Sequence, residues 1–152
     1  MPSGPPAVYV AVVGAGDELA QDVLDRAQAV GAELARRGAV VVCGGLGGVM
    51  EAACRGAREA GGVTVGILPG DDRAAVNAWV TVAIATGLGD LRNGLVVRAA
   101  DAVIAIAGGY GTLSEVAFAL KAGKRVVGLG SWEIDGVQAA GDPLAAVDLA
   151  LV

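Results

Sequence analysis

Residues 44–53 read GGLGGVMEAA and residues 108–117 read GGYGTLSEVA, and each stretch directly follows a short run rich in β-branched residues. The shared pattern is a strand, a GGxG loop and a helix with a glutamate in its first turns. Such a junction places unpaired backbone N–H groups at a helix N-terminus, where glycine lets an anion approach the main chain. One such loop is weak evidence of a ligand, because glycine also serves close packing. Two in one chain favour a ligand that carries phosphate.

The rest of the chain alternates between strands and helices in the same way. Apolar and β-branched runs predict strands over residues 8–13, 39–43, 63–68, 79–85, 102–106 and 125–129. Apolar spacing, glycine stops and the N-cap candidates Asp17, Asp90 and Asp142 predict helices over residues 17–37, 48–60, 90–99 and 112–122, and one starting at residues 142–143. The alternation predicts one α/β domain over residues 1–152, a doubly wound, Rossmann-like parallel sheet with helices on both faces.

Composition excludes several classes of function. The net charge of -5 disfavours broad binding to nucleic acid, which needs clustered Lys and Arg. The chain lacks a long apolar run, and residues 1–6 lack the features of a signal peptide, so we expect a cytoplasmic protein that does not enter a membrane. Histidine is absent, which excludes Ser-His-Asp catalysis and histidine-based metal sites. Cys43 and Cys54 lack CxxC spacing, so we expect buried free thiols and no metal site.

Four loops are expected to line one ligand site. In open parallel sheets ligands bind beyond the carboxyl ends of the strands, where residues 14–16, 44–48, 86–89 and 108–112 fall. Neither glycine loop is followed by the Lys-Ser or Lys-Thr of a Walker A motif, and Leu19 occupies the third glycine position of GxGxxG, so ATP hydrolysis and NAD binding are disfavoured. The predicted ligand- and phosphate-binding residues are Gly14, Ala15, Gly16, Gly44, Gly45, Gly47, Gly48, Met50, Gly87, Gly108, Gly109, Tyr110, Gly111 and Thr112.

The side chains near these loops each allow two interpretations. Glu115, three residues after Thr112, either completes a capping box or places a carboxylate at the mouth of an anion site, where it could stabilise a cationic sugar ring. Arg92 is either an ordinary helix-surface charge or a bidentate phosphate ligand. Tyr110 either stacks on a base or packs against the protein. Glu51, at the corresponding place in the first loop, lacks a threonine cap and is expected at the solvated surface or in a salt bridge.

These motifs resemble the LONELY GUY (LOG) family, formerly called lysine-decarboxylase-like, in a Rossmann-like superfamily that includes molybdenum cofactor carrier proteins. The resemblance covers most of the chain. It rests on residues 44–50, on residues 66–69 (GILP), and on residues 108–115, which match the PGGxGTxxE signature except for Ala107 in the proline position. LOG enzymes hydrolyse nucleoside 5′-monophosphates to a free base and ribose 5-phosphate with an Arg and the signature Glu. The resemblance thereby implies Arg92 and Glu115 as catalytic residues, and Asn93 stands where the family has lysine.

The resemblance leaves the function open between two main readings. Residues 87–93 (GLGDLRN) and the shortened C-terminus look more like the carrier branch, whose members bind molybdenum cofactor, a pterin that carries a phosphate. One reading is therefore a protein that binds a phosphorylated, nucleotide-like molecule such as molybdenum cofactor. The other is a nucleoside 5′-monophosphate phosphoribohydrolase. Neither requires a further cofactor, and both imply a homodimer or homotetramer formed through helices such as residues 116–120. In a third reading, an assembly scaffold, the glycine loops are purely structural.

Overall fold

The computed structural model describes residues 4–17 and 19–152. Residues 1–3, in the opening segment, and Glu18, in the first predicted helix, lie outside the described residues. The strands are β1 (Tyr9–Gly14), β2 (Val40–Cys43), β3 (Thr64–Leu68), β4 (Val82–Ala85), β5 (Ala102–Ile106), β6 (Arg125–Leu129) and β7 (Val137–Ala139). The helices are α1 (Gln21–Arg36), α2 (Val49–Glu59), α3 (Arg92–Arg98), α4 (Tyr110–Lys121) and α5 (Pro143–Ala150), with short 3-10 turns at Arg73–Ala75 and Gly89–Leu91.

The strands form one parallel sheet in the order β4-β3-β2-β1-β5-β6-β7. Successive side chains of a strand point to opposite faces, and the central strand β1 shows this directly. Val10 and Val12 pack with α1, α2 and α5, whereas Ala11 and Val13 pack with α3 and α4. Both faces of the sheet are therefore covered by helices, as a parallel sheet requires. The predicted doubly wound α/β fold is confirmed.

The direction in which the chain builds the sheet reverses between β1 and β5. From β1 the sheet grows outward through β2, β3 and β4, and from β5 it grows the other way through β6 and β7. At such a topological switch point the loops leave the two adjacent strands in opposite directions and open a crevice at the carboxyl edge. Because β1 ends at Gly14 and β5 ends at Ile106, this crevice lies between the loop after β1 and the second glycine loop.

Two parts of the sheet differ from the sequence prediction. The strand predicted over residues 79–85 is shorter, Val82–Ala85, because side-chain bonds replace the regular ladder before it. The Thr64 hydroxyl donates to the Trp79 carbonyl at 2.6 Å and accepts the Thr81 N–H at 2.8 Å. The strand β7 was not predicted. It is a short edge strand whose one partner among the described residues is β6, and its sequence carries no apolar run from which it could be predicted.

Two helices begin at positions other than those predicted. α1 begins at Gln21 and not at Asp17, and its N-cap residue, Ala20, makes no side-chain capping bond. α4 begins at Tyr110, two residues before the predicted Thr112, with a glycine at the N-cap. Both helices therefore start without the side-chain caps that the sequence suggests. Asp17 and Thr112 are left available for other contacts.

Of the two remaining N-cap predictions, the one at Asp90 is wrong and the one at Asp142 is confirmed. Asp90 does not cap α3, because a 3-10 turn precedes the helix and Leu91 occupies the N-cap position. The cap predicted at Asp142 is confirmed, since its carboxylate accepts the Ala145 N–H at 2.8 Å and Pro143 is the first residue of α5. A proline at that position has a backbone φ already suited to a helix. The N-cap predicted from the sequence is therefore correct at α5, the helix whose first residue is a proline.

Two predictions from composition can also be compared with the structure. Cys43 and Cys54 are free thiols, and both are buried, as predicted. Along residues 4–17 and 19–152, none of the helices combines the length and the apolar character needed to cross a bilayer.

Candidate functional site

A cavity of about 270 Å³ lies at the switch point, where the carboxyl ends of β1 and β2 meet the starts of α3 and α4. Small-molecule sites usually have volumes of roughly 300–1,000 Å³, so a compact ligand would fill this one and a larger ligand would extend past its rim. The predicted site residues that line it are Gly14, Ala15, Gly16, Gly44, Met50, Arg92, Gly109, Gly111, Thr112 and Glu115. The wall also contains Val12, Val13, Asp17, Asp90 and Asn93, which were not predicted as site residues.

A larger hollow of about 820 Å³ lies on the outer face of α1 and α2, near the start of α5. Its wall is formed by helix-surface residues such as Gln28, Glu33 and Arg36, and it lies away from the carboxyl edge of the sheet. Size alone does not make a site. The smaller cavity is the better candidate because it lies where parallel sheets bind ligands and contains buried polar groups.

Two predicted glycines, Gly48 and Gly108, do not line the cavity but allow close packing of the residues next to it. Gly48 has a φ of +63°, and a Cβ built there would lie 2.3 Å from the Ala15 carbonyl oxygen. The close contact between the first glycine loop and the loop after β1 therefore depends on glycine. Gly108 has a φ of +101°, and a Cβ there would lie 2.3 Å from the Thr112 hydroxyl oxygen. The missing side chain is what lets Thr112 reach the cavity wall.

The other predicted residues outside the wall make protein contacts. The Gly45 carbonyl accepts the Asn77 N–H at 2.9 Å, and the Gly87 N–H donates to another backbone carbonyl at 2.8 Å. Gly47 packs near the loop after β1. Tyr110 is 84% exposed and stacks on Trp132, with ring centroids 6.3 Å apart. Tyr110 therefore packs against the protein in this structure, and a role for it in stacking on a base stays a prediction.

The two glycine loops do not offer equivalent helix N-termini. At the first loop the Val49 N–H, the first of α2, already donates to the Ala15 carbonyl at 3.0 Å. At the second loop the first intrahelical bond is made by Leu113, whose N–H donates to the Gly109 carbonyl at 3.0 Å. The N–H groups of residues 110–112 precede that bond and so have no partner within α4. With Gly109, Gly111 and Thr112 on the cavity wall, the N-terminus of α4 faces the cavity.

Arg92 is a buried cavity residue, only 9% exposed. Its Nε donates to the Ile67 carbonyl at 3.0 Å, its Nη2 lies 3.4 Å from the Gly44 carbonyl, and its Nη1 donates to the Asn93 side chain. The guanidinium thereby ties the end of β3 to the first glycine loop. The solvent-facing interpretation of Arg92 is wrong, because α3 begins at this residue and directs it inward. Its contact with phosphate stays a prediction.

Asn93 was noted in the sequence only as a departure from the LOG family, and it too lies at the site. It is buried, accepts from Arg92 and donates through Nδ2 to the Ser114 hydroxyl at 3.2 Å. Ser114 in turn donates to the Gly111 carbonyl at 2.6 Å. Asn93 therefore connects α3 to the first turn of α4. Its burial, which the sequence does not show, is what identifies it as a site residue.

Glu115 lies on the cavity wall and is 7% exposed. The capping-box interpretation is wrong, because α4 begins at Tyr110 and Glu115 therefore lies beyond the first turn. Burial raises the pKa of the Glu115 carboxyl to about 7, although the nearby Arg92 guanidinium acts to lower it. The group therefore gains or loses a proton near neutral pH. Glu51, the counterpart in the first loop, is exposed, which confirms the surface interpretation.

The charges on the cavity wall are mixed. Arg92 is the cation, and Asp17, Asp90 and Glu115 are acidic groups on the same wall. Such a wall does not favour a bare polyanion, because carboxylates repel it. It suits a ligand that carries both an anionic group and N–H donors. A proton on Glu115 would reduce the repulsion of an anion.

The loop before α4 explains one departure from the LOG signature. Ala107 has a φ of +48° and its N–H lies 3.3 Å from the Leu129 carbonyl. Proline fixes φ near −65° and has no N–H, so the family's proline could not adopt this backbone. The second glycine loop therefore follows a different path from one that begins with proline.

We expect Ala107→Gly to raise the free energy of unfolding by roughly 0.5–1 kcal/mol, because glycine removes the cost of a positive φ and this exceeds its extra entropy in the unfolded chain. Ala99→Gly is the matched control, since Ala99 is exposed at the end of α3 with a φ of −72°. That change should lower the same quantity by roughly 0.5–1 kcal/mol. Urea unfolding of both variants measures the difference, and equal destabilisation of the two would contradict a strained Ala107.

Comparisons with known proteins agree with this fold. Residues 7–147 match the SLOG cluster4 family. An uncharacterized protein of Archaeoglobus fulgidus is 45% identical over 122 residues, which cover 80% of each chain. The molybdenum cofactor binding protein of Rippkaea orientalis is 36% identical, with a TM-score of 0.90 and 96% of each chain covered. The molybdenum cofactor carrier protein of Chlamydomonas reinhardtii is 34% identical, with a TM-score of 0.84 and coverage of 94% of this chain and 95% of that one.

A more distant similarity concerns the fold alone. The DNA processing protein A of Helicobacter pylori is 19% identical, with a TM-score of 0.71 and coverage of 95% of this chain and 80% of that one. The family match spans nearly the whole chain, and solved structures at 36% and 34% identity are molybdenum cofactor proteins. The chain therefore belongs to the SLOG cluster4 family, in the molybdenum cofactor carrier-like branch of the LOG superfamily.

Proposed function

We propose that this protein is a carrier that binds molybdenum cofactor at the switch-point cavity and releases it unchanged. The observation that carries the proposal is the mixed charge of the cavity wall, which Arg92 and the start of α4 share with Asp17, Asp90 and Glu115. The similarity to molybdenum cofactor proteins of Rippkaea orientalis and Chlamydomonas reinhardtii, at 36% and 34% identity, supports it. Molybdenum cofactor is cargo in this proposal, and the protein needs no further cofactor.

We assign some residues of the cavity to the phosphate of such a ligand and others to its pterin ring. The N–H groups at the start of α4, beside Gly109 and Gly111, are suited to the phosphate, because a helix N-terminus attracts negative charge. Arg92 adds a cation that is already held in place by backbone carbonyls. A pterin ring carries ring and amino N–H donors along one edge, and carboxylates accept such donors in pairs. Asp17 and Asp90 are the acceptors available for that edge.

The runner-up function is hydrolysis of a nucleoside 5′-monophosphate. It is favoured by Glu115, whose carboxyl is buried beside Arg92 with a pKa of about 7, because such a group can stabilise a cationic sugar ring. Two features make it the weaker proposal. Asn93 replaces the lysine of the family and is bonded to Ser114, and the backbone at Ala107 could not contain the signature proline.

Binding can be tested with a variant that fills the cavity. A side chain at Gly111 would meet only the edge of Asn93, at 4.0 Å, so Gly111→Val should fold and place its methyl groups in the cavity. We expect it to lower the retention of molybdenum cofactor on the order of tenfold or more, because the clash opposes the ligand alone. The measurement is molybdenum and pterin per chain after anaerobic incubation with the released cofactor and gel filtration.

The matched control is Gly94→Val, which makes the same change in α3. Apart from its chain neighbours and the backbone of its own helix, a Cβ added at Gly94 would meet no described heavy atom within 4 Å, and Gly94 does not line the cavity. We expect this variant to retain the cofactor like the unchanged chain. Equal retention by both variants, or none by the unchanged chain, would refute the carrier proposal at this site.

Incubation with a panel of nucleoside monophosphates separates the two functions. A carrier should release no free base, and mass spectrometry of the reaction follows that base directly. Release of base that disappears in Glu115→Gln would instead establish a phosphoribohydrolase. A chain that neither retains a phosphorylated ligand nor gains thermal stability from one would favour the scaffold reading.

Two broader expectations accompany the proposal. We propose a homodimer or homotetramer, for which the outer face of α4 offers Phe118, with 47% of its surface exposed. We also propose that the protein works in the cytoplasm on a small molecule, without contact with nucleic acid or membrane. The net charge of -5 supports the exclusion of nucleic acid.

A further inference from the structure

A pair of thiols lies directly behind the cavity wall. Cys43 ends β2 and Cys54 lies on α2, and their Sγ atoms are 3.4 Å apart. Both residues are fully buried and form a small cluster with Met50, which itself lines the cavity. They are the chain's two cysteines. The thiols therefore pack against a residue of the cavity wall.

The two sulfurs have different environments. The Gly45 N–H donates to Cys43 Sγ at 3.3 Å, and Cys54 lies where its S–H can donate to the same sulfur. The bond with Cys54 is the main cause of a lowered pKa of Cys43; the Gly45 N–H and the Arg92 guanidinium act in the same direction, and burial and the Glu115 carboxyl oppose them. The pKa of Cys54 is raised by its partner and by burial. Cys43 is therefore the sulfur that more readily forms the nucleophilic thiolate, and Cys54 is the one that more readily keeps its proton.

We propose that Cys43 and Cys54 form an oxidisable dithiol that a small hydroperoxide converts into a disulfide. The Cys43 thiolate attacks one oxygen of hydrogen peroxide and breaks the O–O bond, which gives Cys43 sulfenic acid and hydroxide. The Cys54 sulfur then attacks the sulfenic sulfur, displaces its hydroxyl group and forms the S–S bond. The protons of the two thiols combine with the two displaced hydroxides. In sum, two thiols lose two electrons, and one peroxide becomes two waters.

The oxidation should alter the cavity wall. A disulfide holds its sulfurs about 2.05 Å apart, so the pair must close from 3.4 Å. Cys43 directly precedes Gly44, which lines the cavity and accepts from Arg92 through its carbonyl. The same sulfur anchors the Gly45 N–H. The disulfide would therefore pull on the first glycine loop. Its formation does not depend on which ligand the cavity binds.

The test uses the full chain, reduced and then freed of reductant. Native protein is treated with hydrogen peroxide, after which free thiols are counted in denaturant and the intact mass is measured. We expect both thiols to be lost, the mass to fall by two hydrogen atoms, and dithiothreitol to restore both. Because the chain has no third cysteine, a disulfide within one chain can only be this pair. Non-reducing gel electrophoresis excludes bonds between chains.

The variant Cys54→Ala identifies the attacking sulfur. It should gain one oxygen in place of losing two hydrogens, and a dimedone probe should label Cys43, with circular dichroism as the check on folding. If both thiols of the native, unchanged chain persist under peroxide and react only after unfolding in urea, the proposal is refuted. This result would not affect the carrier proposal, which is measured by cofactor retention.

Discussion

Arg92→Met is expected to abolish the retention of a phosphorylated ligand and to lower the free energy of unfolding by about 3 kcal/mol. The buried guanidinium donates to the Ile67 carbonyl and approaches that of Gly44, and methionine would leave both without this partner. It also removes the cation beside Glu115, whose pKa should then rise further. Urea unfolding at pH 7 measures the stability, and molybdenum and pterin per chain measure the retention.

The matched control for this prediction is Arg98→Met, at the other end of the same helix. Arg98 is exposed, so the same substitution should change the free energy of unfolding by less than about 0.5 kcal/mol. It should leave retention unchanged. If Arg92→Met is as stable as Arg98→Met, then Arg92 does not join β3 to the first glycine loop in solution. If it is destabilised but still retains the ligand, Arg92 serves the fold alone.

Glu115→Gln is expected to increase the free energy of unfolding by about 3 kcal/mol at pH 8, and by almost nothing at pH 4. Burial raises the pKa of Glu115 from its ordinary 4.5 to about 7 in the folded chain. Above pH 7 the folded protein must hold a buried carboxylate that the unfolded chain exposes to water. Glutamine has nearly the same shape and never ionises, so it removes this cost.

The sign of this effect follows from where the proton binds. Below about pH 4.5 both the folded and the unfolded chain hold the proton, and Glu115 costs nothing. Between pH 4.5 and 7 the unfolded chain loses it first, so the folded state becomes progressively less stable, and above pH 7 the loss is complete. Urea unfolding across this range measures the curve. Glu51→Gln is the control, because Glu51 is exposed, and a similar gain in that variant would contradict the explanation.

Much of the fold was predictable because its signals are local. The strands β1, β2, β3, β5 and β6 are apolar runs close to their predicted bounds, and strand-helix alternation is enough to specify a parallel sheet. The carboxyl edge as the ligand edge follows from that sheet by a general rule. Prediction missed β7, an edge strand without an apolar run. It began β4 too early, because residues 79–81 have a strand-like pattern but Thr64 side-chain bonds replace the ladder there.

The candidate site was predictable as a set of loops but not as a set of contacts. The prediction that Gly44, Gly109 and Thr112 share one cavity is correct, since each follows a strand that ends at the same edge. It could not separate them from Tyr110, which lies in the same loop and turns outward onto Trp132. It also left Asn93 out, because an asparagine on a short helix has no motif of its own.

The sequence by itself determined that this protein is a doubly wound sheet with glycine loops at its ligand edge, because those features depend on neighbours along the chain. Only the tertiary structure decided the state of the charged groups. Arg92 is turned inward by the start of α3, Glu115 is buried by the cavity wall, and Cys43 meets Cys54 across a strand and a helix. Each of these depends on burial and on segments that are distant in sequence, and ionisation follows such surroundings more closely than residue type.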